Sequence, residues 1–307
     1  MTFQRSPGRT RSALPALALL FNAFVWGISW WPFRGLQQHG LHPLLATALV
    51  YLLSLVLLLI VRPQAWRSFA HQPLLWLLAA AAGMTNVGFN WAVTVGDVVR
   101  VVLLFYLMPA WTVLLAWPML GERPTPAALL RLALALAGVV IVLKTGGSPW
   151  PVPESLPDAL ALAGGISFAL TNILLRKLHD VDAAARVLAM FGGGAGMAAA
   201  TALLGIAAGF VAVPAAPQGA WLLGLALSLG FLGSNVALQY GATRLNSSTT
   251  ALIMLSEVLF ASLSSVALGA AELTARTLIG GGLILAAAAW SAWSAEAQMD
   301  QPAHNAA

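Results

Sequence analysis

One carboxylate stands where carboxylates are scarce. Residues 251–263 read ALIMLSEVLFASL, and Glu257 alone in that stretch is neither apolar nor small. The other nine acidic residues fall at the ends of apolar runs or in the gaps between them. An acidic group at the centre of a membrane helix costs about 2.5–3.5 kcal/mol on insertion scales and usually faces an interior or a wet cavity. Glu257 could attract an ammonium group or exchange a proton. The structural alternative is a protonated acid bonded to a neighbouring helix. Asn86 and Asn90 are four residues apart and share a helix face, and Asn235 and Gln239 repeat the spacing. Amides donate and accept, so such pairs suit either a polar ligand or helix-to-helix bonding. Trp26, Trp91, Tyr106, Trp111 and Tyr240 fall near the expected mid-depth, where a ring can stack on a substrate side chain. Pro109 cannot donate to the carbonyl of Phe105, so a kink is expected there, as a gate hinge or as packing.

These residues need a scaffold, and composition says which kind. The chain has 307 residues, of which 60% are hydrophobic and only 8% charged, with a mean hydropathy of +0.84. Soluble domains carry about 25% charged residues. The composition is that of a polytopic membrane protein with the lipid bilayer as its surroundings. The net charge of +5 does not point to nucleic acid, because the basic residues are spread among the gaps. No cysteine is present, which excludes disulfides, thiolate metal sites and thiol catalysis.

A helix crossing the hydrocarbon needs about 20 apolar residues. Ten runs meet that length roughly: 13–35, 43–61, 73–95, 98–119, 126–143, 157–178, 184–209, 218–241, 246–268 and 274–294. The first begins like a signal peptide, but it runs on to Trp31 and reads as a transmembrane span. With the N-terminus cytoplasmic, eleven Lys and Arg fall on the cytoplasmic side and four on the other. That bias predicts both termini inside. Trp30, Trp31, Trp66, Trp117, Trp150, Trp221, Trp290 and Trp293 read as headgroup anchors. FGGGAGMAAA (191–200) and GGG (280–282) predict close helix approach. Thr125 is expected to cap the helix that Pro126 opens, and Asn246 to cap another.

The two halves resemble each other. MTNVGFNWAVT (84–94) pairs with GSNVALQYGAT (233–243), placing Asn86 on Asn235, Asn90 on Gln239 and Trp91 on Tyr240. The offset is 149 there and falls by one residue to 148 beyond the following loop, where LMPAWTVLLAWPMLGE lies on LSEVLFASLSSVALGA, with Gly121 on Gly269 and Glu257 where Pro109 stands. The Pro- and Gly-rich stretch around 144–156 divides the copies, which gives units of 1–150 and 151–307. Five helices per unit is an odd number, so the second copy is inverted across the membrane. Inverted repeats that exchange conformations are the logic of alternating access. The expected fold is an all-α integral membrane protein of ten transmembrane helices in two inverted five-helix repeats.

VVRVVLLFYLMPAWTVLLAWPMLGERPTPAALLRLALALAGVVIVL, with WGISWW in the first span, resembles the EamA-type repeat of the drug/metabolite transporter superfamily. FYLMPAWTVLLA is most similar to YddG-type exporters of aromatic and other amino acids. The resemblance implies ten helices, export from the cytoplasm across a bacterial inner membrane, an amino-acid or related small-molecule substrate, and no bound cofactor.

Other functions remain to be weighed. A single carboxylate also suits a cationic drug or polyamine. Sugar-nucleotide carriage would need cations mid-span, and none is there. A membrane-embedded enzyme is disfavoured. No H-E-x-x-H, G-x-S-x-G, P-loop or dinucleotide signature occurs, and the five histidines (39, 42, 71, 179 and 304) all lie in loops or ends. No catalytic or metal-ligating set is therefore assigned. A channel is the remaining alternative.

Overall fold

The computed structural model of the protein describes residues 13–121, 123–143, 153, 155–214, 220–242, 244–245, 250 and 253–299. Glu122, Lys144, Trp150, Thr243 and Asn246, and the side chain of Trp293, lie outside the described residues. Among those described, every regular element is a helix.

Apolar runs become helices because only an intrahelical ladder satisfies backbone groups away from water. The first run forms α1 (Ala13–Ile28) and α2 (Trp30–Gln38). They are parted at Ser29, whose hydroxyl donates back to the Trp26 carbonyl at 2.8 Å. After α3 (Pro43–Val61) comes a short 3-10 helix, Ala65–Ala70, then α4 (Leu74–Val95). A second break separates α5 (Val98–Phe105) from α6 (Met108–Leu120). The chain continues through α7 (Pro126–Leu143), α8 (Leu156–Lys177), α9 (Ala183–Ala207) and α10 (Ala220–Ala242), and ends with α11 (Ser256–Ala267) and α12 (Ala275–Met299).

Among the described residues, seven stretches are long and apolar enough to cross a membrane: Leu14–Gln38, Pro43–Val61, Val98–Leu120, Pro126–Leu143, Leu156–Lys177, Ala183–Ala207 and Ala220–Ala242. The chain is thus a multi-pass, all-helical membrane protein. The 22-residue α4 is as long as these, but Asn86 and Asn90 dilute its hydropathy. Nearly all of it from Ala81 to Thr94 is buried among other helices, so those amides do not meet lipid.

The helix ends follow their local chemistry. Thr125 Oγ1 accepts from the Ala128 amide at 3.2 Å, capping α7 as its sequence predicts. Asp97, Ser155 and Asp182 cap α5, α8 and α9 in the same way. Gly121 ends α6 at φ +73°, and Gly269 follows α11 at φ +65°. Both occupy the left-handed region, where a side chain is strained.

Lipid tails are as apolar as leucine, so helices gain little from hydrophobic burial against one another and associate through close packing. α4 packs on α8 and α9, α7 on α12, α3 on α9, and α1 on α10 and α11. The predicted small residues do this work. A methyl group at Gly138 would lie 2.5 Å from the Gly280 carbonyl oxygen, and one at Gly280 would lie 2.6 Å from that of Gly138. At Gly193 it would lie 1.9 Å from the Ala79 carbonyl, so α4 and α9 touch backbone to backbone.

Candidate central cavity

A cavity of about 140 Å³ sits where α1, α3, α4, α5, α8, α9, α10 and α11 meet. Aromatic rings make much of its wall. Trp26 stacks on Phe231 with centroids 4.5 Å apart, and Phe105 lies between Phe89 and Phe168 at 4.7 and 5.5 Å. Tyr51 sits against Phe191 and Phe231.

Polar groups interrupt this wall at few points. Glu257 lines the cavity from the first turn of α11 and is only 8% exposed. The Tyr106 hydroxyl lies 2.9 Å from its Oε2 and 3.2 Å from the Met254 carbonyl oxygen. A hydroxyl has one proton, and the shorter bond goes to the carboxylate. Asn86 is held by Tyr51, whose hydroxyl donates to Asn86 Oδ1 at 2.7 Å. Asn235 Oδ1 accepts from Gln239 Nε2 at 2.8 Å. With both amide oxygens engaged, each residue has its NH2 group left to offer the cavity it lines. The cavity therefore presents amide donors and one carboxylate acceptor.

The structure brings together Trp26, Asn86, Asn235 and Glu257, with Tyr106 behind Glu257. The remaining candidates lie elsewhere. Asn90 is fully buried behind the wall, and neither polar atom of its amide finds a partner among the described residues. Trp91 points away to His42, with ring centroids 5.1 Å apart. Trp111 packs against the core cluster around α5. Gln239 lines a vestibule outside the cavity, and Tyr240 stacks under the Arg244 guanidinium at 3.9 Å. Four residues advance a helix by about 40° beyond a full turn and 6 Å along its axis, enough to leave a small cavity. Pro109 does not kink a continuous helix. The chain breaks at Tyr106–Leu107, and Pro109 occupies the first turn of α6, where its missing N–H is unneeded. The Phe105 carbonyl lies against Gly165, where a methyl group would come within 2.9 Å of its oxygen. Trp30 is no headgroup anchor either. It is 2% exposed and its indole N–H donates to Ser264 Oγ at 3.0 Å.

Sequence reasoning missed Asn22, Tyr51 and Thr171 in the wall. Asn22 is buried and its Nδ2 donates to the Ser234 carbonyl at 2.8 Å. It carries the same signal as Asn86, an amide inside an apolar run.

A second, larger space borders the cavity on one side. α3 and α10 touch at Val50 and Ser228, whose hydroxyl lies 2.9 Å from the Val50 carbonyl. Toward Val61 and Gln239 a vestibule of about 940 Å³ parts them. Asn235 lines both spaces and marks their junction. At the opposite face, Arg100 bridges to Asp158 at 2.7 and 2.9 Å and donates to the Val142 carbonyl at 2.6 Å. Asp158 is 2% exposed there, at the start of α8.

A small cavity with a few polar groups, enclosed by the helices of a membrane bundle, is the form of a transport site. Residues 13–144 match the EamA-like transporter family. This is a transporter family within the drug/metabolite superfamily that the sequence resembles. The EamA-like segment supplies Asn22, Trp26, Tyr51, Asn86 and Phe105 to the cavity, while Asn235 and Glu257 lie beyond the matched residues. One crystal structure of another protein covers 94% of this chain and 99% of that chain, with a TM-score of 0.55 and 20% sequence identity. At that identity the likeness speaks for the fold alone. No curated protein matches the chain.

Proposed function

We propose that the protein is a secondary transporter that exports amino acids and related small metabolites across a bacterial inner membrane by alternating access. Both termini are cytoplasmic, so the vestibule faces the cytoplasm. One observation carries the reading: a single aromatic-lined cavity offers amide N–H donors at Asn86 and Asn235 and a carboxylate acceptor at Glu257. Donors suit a carboxylate, an acceptor suits an ammonium, and rings suit an apolar side chain. An amino acid has all three parts.

Two inverted repeats of five helices, 1–150 and 151–307, are the architecture we assign to this cycle. Support comes from matching features at matching positions. α6 begins after Leu107 and α11 after Leu255, 148 residues later. Gly121 and Gly269 are separated by the same 148 and both turn left-handed. Packing also exchanges: α4 on α8 answers α10 on α1, and α6 on α8 answers α11 on α1.

A second reading, export of cationic drugs or polyamines, is favoured by the lack of any Lys or Arg among the described cavity-lining residues. Both readings are tested in proteoliposomes loaded with an amino-acid panel and the corresponding decarboxylated amines, with and without a pH gradient. We expect saturable movement of amino acids, lost in Glu257→Gln and much weaker for the amines. Faster movement of the amines would replace the first reading with the second. Wild-type flux in Glu257→Gln would remove both.

A further inference from the structure

A buried polar stripe leaves the cavity on the side away from the vestibule. Asn86, Asn90 and Thr94 recur every four residues on α4 and so follow one face of the helix from the cavity toward Gly96. All three are buried. α3 runs antiparallel to this stripe: Tyr51 bonds Asn86, whereas His42 at the start of α3 packs on Trp91. Thr47 is one turn from Tyr51 in the direction of His42, and Asn90 is one turn from Asn86 in the direction of Trp91. The two residues thus stand at the same level. That level is remote from the vestibule, which borders α3 at Leu58 and Val61. The stripe ends at α2, where Arg34 donates to the carbonyls of Thr94 and Gly96 at 3.1 and 2.7 Å.

Two members of this set are unheld. Tyr51 engages the Asn86 oxygen, and Thr94 Oγ1 donates to the Asn90 carbonyl. Thr47 Oγ1 and both polar atoms of the Asn90 side chain are buried with no partner among the described residues. A buried polar group without a partner destabilises the state that buries it, whereas an apolar group of the same shape does not.

We propose that Asn90 and Thr47 form a second station for the carboxylate of the solute, uncovered when the protein turns to the face opposite the vestibule. The proposal rests on the amino-acid reading given above. The station offers donors, an amide N–H at Asn90 and a hydroxyl O–H at Thr47. Asn86 presents its NH2 group in the cavity about 6 Å before Asn90 along the helix axis. A carboxylate leaving Asn86 therefore meets the next donors within one helical turn, and the Arg34 guanidinium beyond them. In the state described here the station is sealed, so it takes no part in binding from the vestibule.

Asn90→Leu and Thr47→Val replace each group by an apolar one of like shape, and proteoliposomes read the result. Neither melting temperature should fall below that of the wild type, because no partner is lost. Amino-acid affinity from the vestibule side should stay unchanged. Amino-acid flux should drop roughly 10-fold, the loss of one hydrogen bond to a charged group, while flux of the decarboxylated amines stays as it was. Asn90→Cys, in a chain that has no other cysteine, should react with an impermeant thiol reagent only from the face opposite the vestibule, and faster while amino acid is carried. Wild-type amino-acid flux in both variants overturns the station and leaves the solute reading intact. A wild-type protein that moves amines and no amino acid overturns both. An equal drop in amine flux would give the two residues a packing role and overturn the station. So would a fall in melting temperature, which means a partner already present, or reaction of the thiol from the vestibule side.

Discussion

The Tyr106 hydroxyl bonds Glu257 Oε2 at 2.9 Å, and the two residues flank the interruptions of two different helices. Tyr106 follows the last residue of α5, and Glu257 is the second residue of α11. The same hydroxyl lies 3.2 Å from the carbonyl of Met254, so the two breaks touch. A break leaves orphan backbone groups. Here the phenol proton goes to the buried acid, with the Met254 carbonyl as its more distant alternative, which ties the position of Glu257 to the shape of both halves.

If the pair acts as a unit, its losses are not additive. A hydrogen bond to a charged group contributes about 1.5–3 kcal/mol, so Tyr106→Phe should weaken amino-acid affinity about 10- to 100-fold. The double variant with Glu257→Gln should be no worse than Glu257→Gln alone. Binding measured on all three variants decides this, and additive losses would show that Tyr106 acts elsewhere.

Two glycines three residues apart on α9 should respond in opposite directions. A methyl group at Gly193 would lie 1.9 Å from the Ala79 carbonyl, whereas one at Gly196 meets nothing within 4 Å. Gly193→Ala should cost about 1–3 kcal/mol through overpacking against α4. Gly196→Ala should stabilise by about 0.5–1 kcal/mol, because alanine loses less backbone freedom in a helix. Thermal unfolding in detergent reads both. A similar cost for the two would mean that α4 and α9 are not in backbone contact.

The membrane fold was legible because the bilayer imposes one requirement, long apolar runs, and composition reports it directly. Glu257 was legible for the same reason, as the lone acid inside such a run. Partners were not legible. Asp158 reads as an acid at the end of an apolar run beside prolines, and only packing of α8 against α5 brings it to Arg100. Trp30 reads as an interfacial ring, yet the break at Ser29 sends α2 inward and buries it. Gln239 and Tyr240 pair in sequence with Asn90 and Trp91, but equivalent positions need not meet equivalent neighbours. α4 is sealed against α9 while α10 leans away from α3 toward the vestibule.

The cap of α3 should make that end of the helix sensitive to acid. His42 Nδ1 accepts from the Leu44 amide at 3.3 Å, and its ring packs edge-on to Trp91. Partial burial holds its pKa below the ordinary value of about 6.5. The folded chain favours the neutral, accepting form. Its contribution is therefore complete above about pH 6.5 and is lost as pH falls through the lowered folded value. Melting temperature should drop on acidification from pH 7.5 to 5.5. The drop should be smaller in His42→Asn, whose amide caps without titrating. An identical drop in the two proteins would place the sensitivity at another group.

The Arg100–Asp158 bridge should set which face of the cavity is open. It joins the start of α5 to the start of α8 at the face away from the vestibule, with Arg100 also bonded to the α7 carbonyl of Val142. Position 248, which the offset of 148 pairs with Arg100, is a serine, so no such ion pair recurs by symmetry. The latch is thus one-sided and stabilises closure at that face only. Breaking a fully buried pair costs about 3–5 kcal/mol. Arg100 is 23% exposed, so about 1–2 kcal/mol is a fairer figure, a roughly 5- to 30-fold shift in the balance of states. The chain has no cysteine, so Asn235→Cys provides a single reporter at the cavity mouth. An impermeant thiol reagent should modify it from the vestibule side in the otherwise wild-type protein. With Asp158→Asn added, modification from that side should slow and modification from the opposite side should appear. The exchanged pair Arg100→Asp with Asp158→Arg should recover the original pattern. Unchanged sidedness in Asp158→Asn would mean that the bridge fastens the helices without governing access.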